Sequence, residues 1–238
     1  MRKPEFFPVG HKPHSPTFSE RLQAGIERRR KESKTTEELR KLARTDKLTG
    51  LANRRVFDER LQEIKISRKR RPRSPGEKRS EDSESSAESA YRRTSNPVTI
   101  IMFDIDNFKK FNLEYGHSGG DLVLREIGAL FTGTGTERKI VTRSGDLVAR
   151  YGGEEFVLIV NGPLERGLGL AERIRDAIAK LHLVHGGMPM SLTASFGVAS
   201  TEENDDELDR AVENADLALS NAKAEGKNRV VSLHQRNK

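Results

Sequence analysis

The 238-residue sequence contains no cysteine. That absence excludes a disulfide framework and thiolate metal sites, and it suits a reducing compartment. No run of apolar residues approaches the roughly eighteen that a membrane-spanning helix needs. The opening stretch, MRKPEFFPVGHKPHSP, has basic flanks but no continuous apolar segment, so no signal peptide is expected there. The expectation is a cytoplasmic protein with no membrane span. A chain of this length can bury one sizeable core, or two small ones, without covalent staples.

Charge is plentiful by contrast. Lys and Arg number 43 against 36 Asp and Glu, a net of +7, and the pI is near 9.7. Such a balance ordinarily points to nucleic acid. Its distribution argues against that reading. Residues 1–47 hold 13 basic and 7 acidic side chains, and residues 65–93 hold 10 and 5, which leaves the rest of the chain at −4. The basic excess sits in segments with little core-forming content, so no specific nucleic-acid partner is expected.

The chain divides by composition. Residues 1–18 carry four prolines and three aromatics without periodicity and read as a flexible tail. Residues 19–45 read as an N-terminal helix of modest amphipathicity, with Leu22, Ile26, Leu39 and Leu42 around a polar middle. It is either a solvated helix or a dimerising stalk. Residues 46–238 form the main domain. Within it, residues 65–96 are a run of Arg, Ser, Glu and Pro that cannot bury enough surface to order itself, and they read as a disordered insertion.

After Pro97 the pattern becomes regular. VTIIMFDID is a continuous β-branched run that reads as a buried strand. Residues 121–131 read as a helix with Leu124, Ile127, Leu130 and Phe131 on one face. Residues 146–150 and 155–160 read as strands joined by a glycine hairpin. A helix over 168–181, a strand over 191–199, a helix over 206–224 and a strand over 228–233 complete the series. This alternation predicts an α+β fold with a ferredoxin-like core, a mainly antiparallel sheet flanked by helices.

Carboxylates collect at two places. Asp104 and Asp106 end the buried strand, and their spacing puts both side chains on one face. Either chain reversal exposes them, or a hard divalent cation pairs them, as Mg²⁺ does with one or two carboxylates and substrate phosphates. The hairpin reads Gly152-Gly153-Glu154-Glu155-Phe156. Its glycines allow close ligand approach and positive φ. In a ferredoxin-like sheet this hairpin lies beside the first strand, which would bring Asp104 to Glu154 and Glu155 and assemble a phosphoryl- or nucleotidyl-transfer site.

These segments together resemble the GGDEF family of bacterial diguanylate cyclases. RYGGEEF resembles its signature in the Glu variant, and DKLTGLANRRVF at 46–57 resembles its opening motif. DIDNFKKFNLEYGHSGGDLVLREIG at 104–128, SLTASFGVA at 191–199 and ADLALSNAKAEGKNRV at 215–230 follow in family order. The sequence departs from the pattern at Leu113, Ser220 and Lys227, where the family usually has Asp, Tyr and Arg.

The resemblance implies a nucleotidyl-cyclase, palm-like form of the fold. It implies that two GTP condense to cyclic di-GMP, with release of two pyrophosphates, in a homodimer that uses Mg²⁺ (or Mn²⁺). Asp104, the backbone carbonyl of Ile105, Glu154 and Glu155 are the implied metal ligands. Glu154 and Glu155, with Asp104, are the implied catalytic set, one glutamate serving as ligand and one as base. Asn112 and Asp121 would bind guanine, with His117 in the same segment, and Lys109 and Lys223 would meet phosphates. Arg143 and Asp146 match an R-x-x-D inhibitory site for the product, with Arg173 in support; the alternative is a local ion pair. A competing function is a catalytically silent receptor that holds cyclic di-GMP at Arg143 and Asp146.

Overall fold

The computed structural model describes residues 43–69, 97–134, 139–140, 142–201 and 207–233, together with Gln23, Ile26 and Glu27. Two compact units divide the chain, Met1–Ala43 and Arg44–Lys238. In the first, the described residues Gln23, Ile26, Glu27 and Ala43 are helical. The tail expected at 1–18, and most of the helix expected at 19–45, lie outside the described residues. So do residues 70–96 of the expected insertion.

The second unit is built on a six-stranded sheet. In chain order its elements are β1 (Ala52–Asn53), α1 (Arg54–Lys69), β2 (Val98–Ile105), α2 (Phe108–Thr132), β3 (Leu147–Arg150), β4 (Glu155–Asn161), α3 (Leu164–Ala179), β5 (Leu183–His185), β6 (Met188–Met190), β7 (Ala194–Thr201), α4 (Glu207–Ala224) and β8 (Val230–Ser232). The strand order is β1-β3-β4-β2-β7-β8, with β5 and β6 forming a separate hairpin. The inner pairs β3–β4, β4–β2 and β2–β7 are antiparallel, and the outer pairs β1–β3 and β7–β8 are parallel. The inner four strands with α2 and α3 are the expected ferredoxin-like core, widened by one strand at each edge.

Burial follows strand parity. Every residue of β2 is buried. Ile101, Phe103 and Ile105 face the side covered by α2 and α3, and Ile100 and Met102 face the side covered by α1 and α4. Phe103 stacks on Phe156 and on Phe196, each at 4.8 Å between ring centroids, which ties the three central strands in register. Contacts of this kind add about 0.5–1.5 kcal/mol per pair beyond area burial.

Three elements differ from the sequence reading. Asn53 caps α1, its Oδ1 accepting the Val56 N–H at 3.2 Å, and the helix runs on to Lys69. Phe57, Leu61 and Ile64 dock it on the sheet and Lys65 Nζ lies 2.6 Å from Asp209. Residues 65–69 of the expected insertion are therefore helical. Helix α2 starts at Phe108, well before the expected residue 121, because it tolerates a kink at Gly116 (φ 72°, ψ 169°). The β5–β6 hairpin was not anticipated at all. Its Gly186 and Gly187 both have positive φ, as a two-residue turn between right-twisted strands requires.

Candidate active site

The site begins where β2 ends. Asp104 pairs in register with Glu155 on β4 and with Ser195 on β7. Directly opposed residues on neighbouring strands project to the same face. The sheet thus sets two carboxylates side by side, as the hairpin argument expected. Asp104 is 7% exposed, and Lys223 Nζ on α4 lies 3.1 Å from its Oδ1. Burial pushes the Asp104 carboxyl up to about 6; Lys223 opposes that rise, and the charges of Glu154 and Glu155 add to it.

Asp106 has a different setting. It lies one residue beyond the strand and accepts from Thr193 Oγ1 and Ser195 Oγ, both at 2.6 Å, and from the Asn228 N–H at 3.0 Å. Neither aspartate is exposed by chain reversal. Asp106 is satisfied inside the protein, holding β7 and the turn before β8 against the end of β2. Beside it Asn107 adopts a left-handed conformation (φ 57°) and accepts a hydrogen bond from Lys227 Nζ.

Next to this strand end a cleft of about 570 Å³ opens between α2 and the β3–β4 hairpin. That volume suits a small organic ligand. Lys109, Asn112, His117 and Asp121 line it from α2, and Arg150, Gly153 and Glu154 line it from the hairpin. The kink at Gly116 separates the two turns of α2 that supply these side chains. Asn112 folds over Gly120 so closely that a Cβ there would lie 2.0 Å from Asn112 Oδ1. That oxygen is buried and has no hydrogen-bond partner. A buried acceptor without a donor costs about 1–3 kcal/mol, and a ligand N–H would recover it. Asp121 is half-exposed, with Arg125 Nη2 3.8 Å away.

The hairpin is held from outside its own strands. Arg150 Nε and Nη2 donate to the Gly153 carbonyl at 3.0 and 2.7 Å. Its Nη1 donates to both carboxylate oxygens of Asp46 at 3.1 and 3.2 Å. Thr49 donates its N–H and its hydroxyl to Asp46 Oδ1. Burial works to raise the Asp46 carboxyl, but Thr49 and Arg150 outweigh it and hold it below its usual range. Gly152 and Gly153 do not take positive φ, contrary to expectation. Gly152 is needed for space, since a Cβ there would lie 2.7 Å from Glu155 Oε2.

The Arg150 fork fixes a tip that carries two site glutamates. Arg150→Ala is expected to lower kcat by about 10- to 100-fold, as small misplacements of reacting groups do. KM should change far less. Arg150→Lys, a cation without the fork, should not restore the rate, and steady-state kinetics on the three proteins checks both statements.

Of the residues singled out from sequence, Asn112, Asp121, Lys109, His117 and Glu154 share the cleft. Asp104 lies opposite Glu155 and against Lys223 at the end of β2, outside the cleft lining, with Ile105 buried at the strand end. Arg143 and Asp146 lie apart at the entrance to β3, and Arg173 is exposed on α3. Asp46, Arg150 and Arg166 were missed. The Arg two residues before Gly152 was a usable signal; nothing in the sequence linked Asp46 or Arg166 to their partners.

Among the described residues no three His, Asp or Glu side chains converge to hold a metal by themselves. The oxygen donors at the strand end nevertheless fit a hard divalent cation, which needs only one or two carboxylates when substrate phosphates supply the rest. The unfavourable proximity of Asp104, Glu154 and Glu155 is what such a cation relieves.

A ferredoxin-like sheet that brings a buried carboxylate beside an acidic hairpin, next to a cleft of about 570 Å³, has the architecture of a palm-like domain. The sequence profile described as "Diguanylate cyclase, GGDEF domain" matches residues 80–229, and the chain belongs to that family. Diguanylate cyclase DgcP of Pseudomonas aeruginosa is 37% identical over 226 residues, covering 91% of this chain and 29% of that protein. Diguanylate cyclase A of Treponema denticola is 38% identical over 134 residues, 56% of this chain and 34% of its own. The chain thus spans about a third of the length of these curated relatives. The coiled coil and GGDEF domain of DgcB from Caulobacter crescentus, solved in complex with c-di-GMP, superposes with a TM-score of 0.68 at 26% identity, covering 90% of this chain and 97% of that one. The active GGEEF domain of a diguanylate cyclase from Vibrio cholerae gives 0.51 at 30% identity, over 63% and 92%. No helix among the described residues is long and apolar enough to cross a membrane.

Proposed function

We propose that this domain condenses two GTP into cyclic di-GMP and releases two pyrophosphates. The observation that carries the reading is the buried, partnerless Asn112 Oδ1 in a cleft that Asp121, Lys109 and Glu154 also line. An acceptor amide and a carboxylate together match the guanine edge, which offers N1–H and a 2-amino group. Lys109 and Lys223 supply point charges for the phosphates, and His117 closes the same segment of the cleft.

Asp104, the Ile105 carbonyl and one of the two hairpin glutamates, Glu154 or Glu155, would hold Mg²⁺ or Mn²⁺. When bound, the ion neutralises charge that develops on the transferring phosphate. The 3′-hydroxyl of one GTP attacks the α-phosphate of the other; a P–O bond forms there as the bond to pyrophosphate breaks. The hydroxyl proton passes to the hairpin glutamate that does not hold the ion. The tip clamped by Arg150 keeps that carboxylate in place, so most of the acceleration comes from positioning. One cleft with one guanine-matching pair presents one GTP, so the second arrives on a second copy of the chain. The reading places the domain in the cytoplasm, where GTP is.

The test is pyrophosphate release from GTP by the purified chain with Mg²⁺ or Mn²⁺. One pyrophosphate per GTP and a cyclic dinucleotide product are expected. Binding of cyclic di-GMP with no pyrophosphate under either ion would overturn the reading in favour of a silent receptor.

Arg143 and Asp146, with Arg173, form the product-inhibitory site in this reading, Arg143 meeting phosphate with its guanidinium fork. Arg143→Ala is then expected to straighten progress curves that bend in the wild type as product accumulates. Curves that bend alike in both proteins would remove the site.

A further inference from the structure

Asp146 does not present an acceptor to solvent. Its side chain is fully covered, whereas Arg166 keeps 16% exposure. Arg166, in the first turn of α3, donates Nη1 to Asp146 Oδ1 at 3.0 Å and Nη2 to Oδ2 at 2.6 Å. The backbone N–H groups of Arg143 and Asn161 donate to the same carboxylate at 2.9 and 3.1 Å. Four donors therefore fill it. Burial works to raise this carboxyl, yet Arg166 and the two backbone donors outweigh it and hold it below its usual range.

The arginine is built into its place. Nη1 also donates to the Asn161 carbonyl at 2.7 Å. Its stem crosses Gly162, where a Cβ would sit 2.9 Å from Arg166 Cδ. Arg143 gives Asp146 its backbone N–H while its own side chain stands exposed. Of the two residues expected to hold product, one is open and the other is taken.

What takes it resembles the ligand. A guanidinium that meets both carboxylate oxygens with two parallel N–H donors repeats the pattern of a guanine edge, whose N1–H and 2-amino group approach a carboxylate in the same way. We propose that Arg166 is an internal competitor for the guanine edge of cyclic di-GMP at Asp146, and that it sets the affinity of the product site. The proposal rests on the reading of Arg143 and Asp146 as that site. With Arg166 in place, product finds a fork for its phosphate and no acceptor for its base. Base recognition then requires Arg166 to leave, and the ligand's apparent affinity falls by the fraction of molecules in which it has left.

The experiment is a calorimetric titration of the full chain with cyclic di-GMP, without GTP. Wild type is compared with Arg166→Gln, Arg166→Lys, Arg143→Ala and the double variant Arg166→Gln with Asp146→Asn. Arg166→Gln should bind about tenfold more tightly, the worth of one charge-assisted hydrogen bond. Arg166→Lys retains a cation near Asp146 without the fork, keeps the fold, and should fall between. The double variant should lose the gain, because the effect runs through Asp146. Melting temperatures measured alongside report the structural share of each change. Weaker binding in both Arg166 variants, in proportion to lost stability, would make Arg166 a purely structural residue and overturn the proposal. If Arg143→Ala weakens binding while neither Arg166 variant tightens it, the competitor assignment alone fails. If no variant differs from wild type, the product site fails and the proposal with it.

Discussion

Asp104→Asn is expected to abolish turnover and, in the same protein, to raise the melting temperature. The loss is expected if Asp104 is the proposed metal ligand; a deficit of about 10³-fold or more in kcat corresponds to about 4 kcal/mol. The gain follows from burial. In the folded chain the Asp104 carboxyl is raised to about 6 from an ordinary 3.8. The folded state therefore holds this proton more tightly than the unfolded state. Its stabilising effect is complete below the ordinary value and is lost as pH rises through about 6. At pH 8 the wild type carries a buried, crowded carboxylate, whereas an amide is neutral at every pH. Loss of the Lys223 contact offsets part of the benefit, because that lysine can turn to solvent. The net expectation is a gain of about 1 kcal/mol, a few degrees in melting temperature for a domain of this size.

Thermal melts in EDTA at pH 8 and pH 5 check it. The variant should lead at pH 8, and the gap should narrow at pH 5. With GTP and Mg²⁺ the order should reverse, since wild type gains more from a ligand it holds through the ion as well as through the base. Turnover by the variant at saturating Mg²⁺ would remove Asp104 from the site, and a lower melting temperature at pH 8 would overturn the burial argument.

The second large effect concerns base choice. ATP presents an amino donor at position 6 and lacks the 2-amino group, so it leaves the acceptors Asn112 Oδ1 and Asp121 unmatched. Sites that reject a substrate by stranding buried polar groups discriminate by up to about 10⁴-fold. That ratio of kcat/KM for GTP over ATP is expected of the wild type, read as pyrophosphate release. Asp121→Asn replaces one of two acceptor oxygens with a donor, and should cut the ratio by about 100-fold, mainly through GTP. Asn112→Ala should also weaken GTP use while leaving the nucleotide-free domain at least as stable, because the atom removed has no partner to lose. Equal use of ATP by wild type would show that these side chains do not read the base.

Much of this site was legible in the sequence for simple reasons. The ferredoxin-like order of elements lays the glycine hairpin's second strand beside β2, which suffices to bring Glu155 to Asp104; the residue-by-residue register between those strands was not legible. The cleft residues of α2 were legible as a motif, but not as a helix. Gly116, Gly119 and Gly120 look like helix breakers, whereas the chain uses one for a kink and another to seat Asn112. Helix α1 was hidden because its polar C-terminal end merges with the charged segment that follows. The contacts that needed the third dimension were not legible at all. Arg150 reaches Asp46 across 104 positions, and Arg166 reaches Asp146 across 20. Local pattern carries no trace of either pairing.

Asp104 and Asp106 sit two residues apart and have unequal freedom to change. Losing the first relieves a buried charge and breaks one lysine contact, so the domain that remains is sound. Losing the second strands two hydroxyls and a backbone N–H where β2, β7 and the approach to β8 are joined. A variant of this chain can therefore give up Asp104 and keep its fold. Asp106 answers to the fold, so its presence alone says nothing about whether the domain carries a working site.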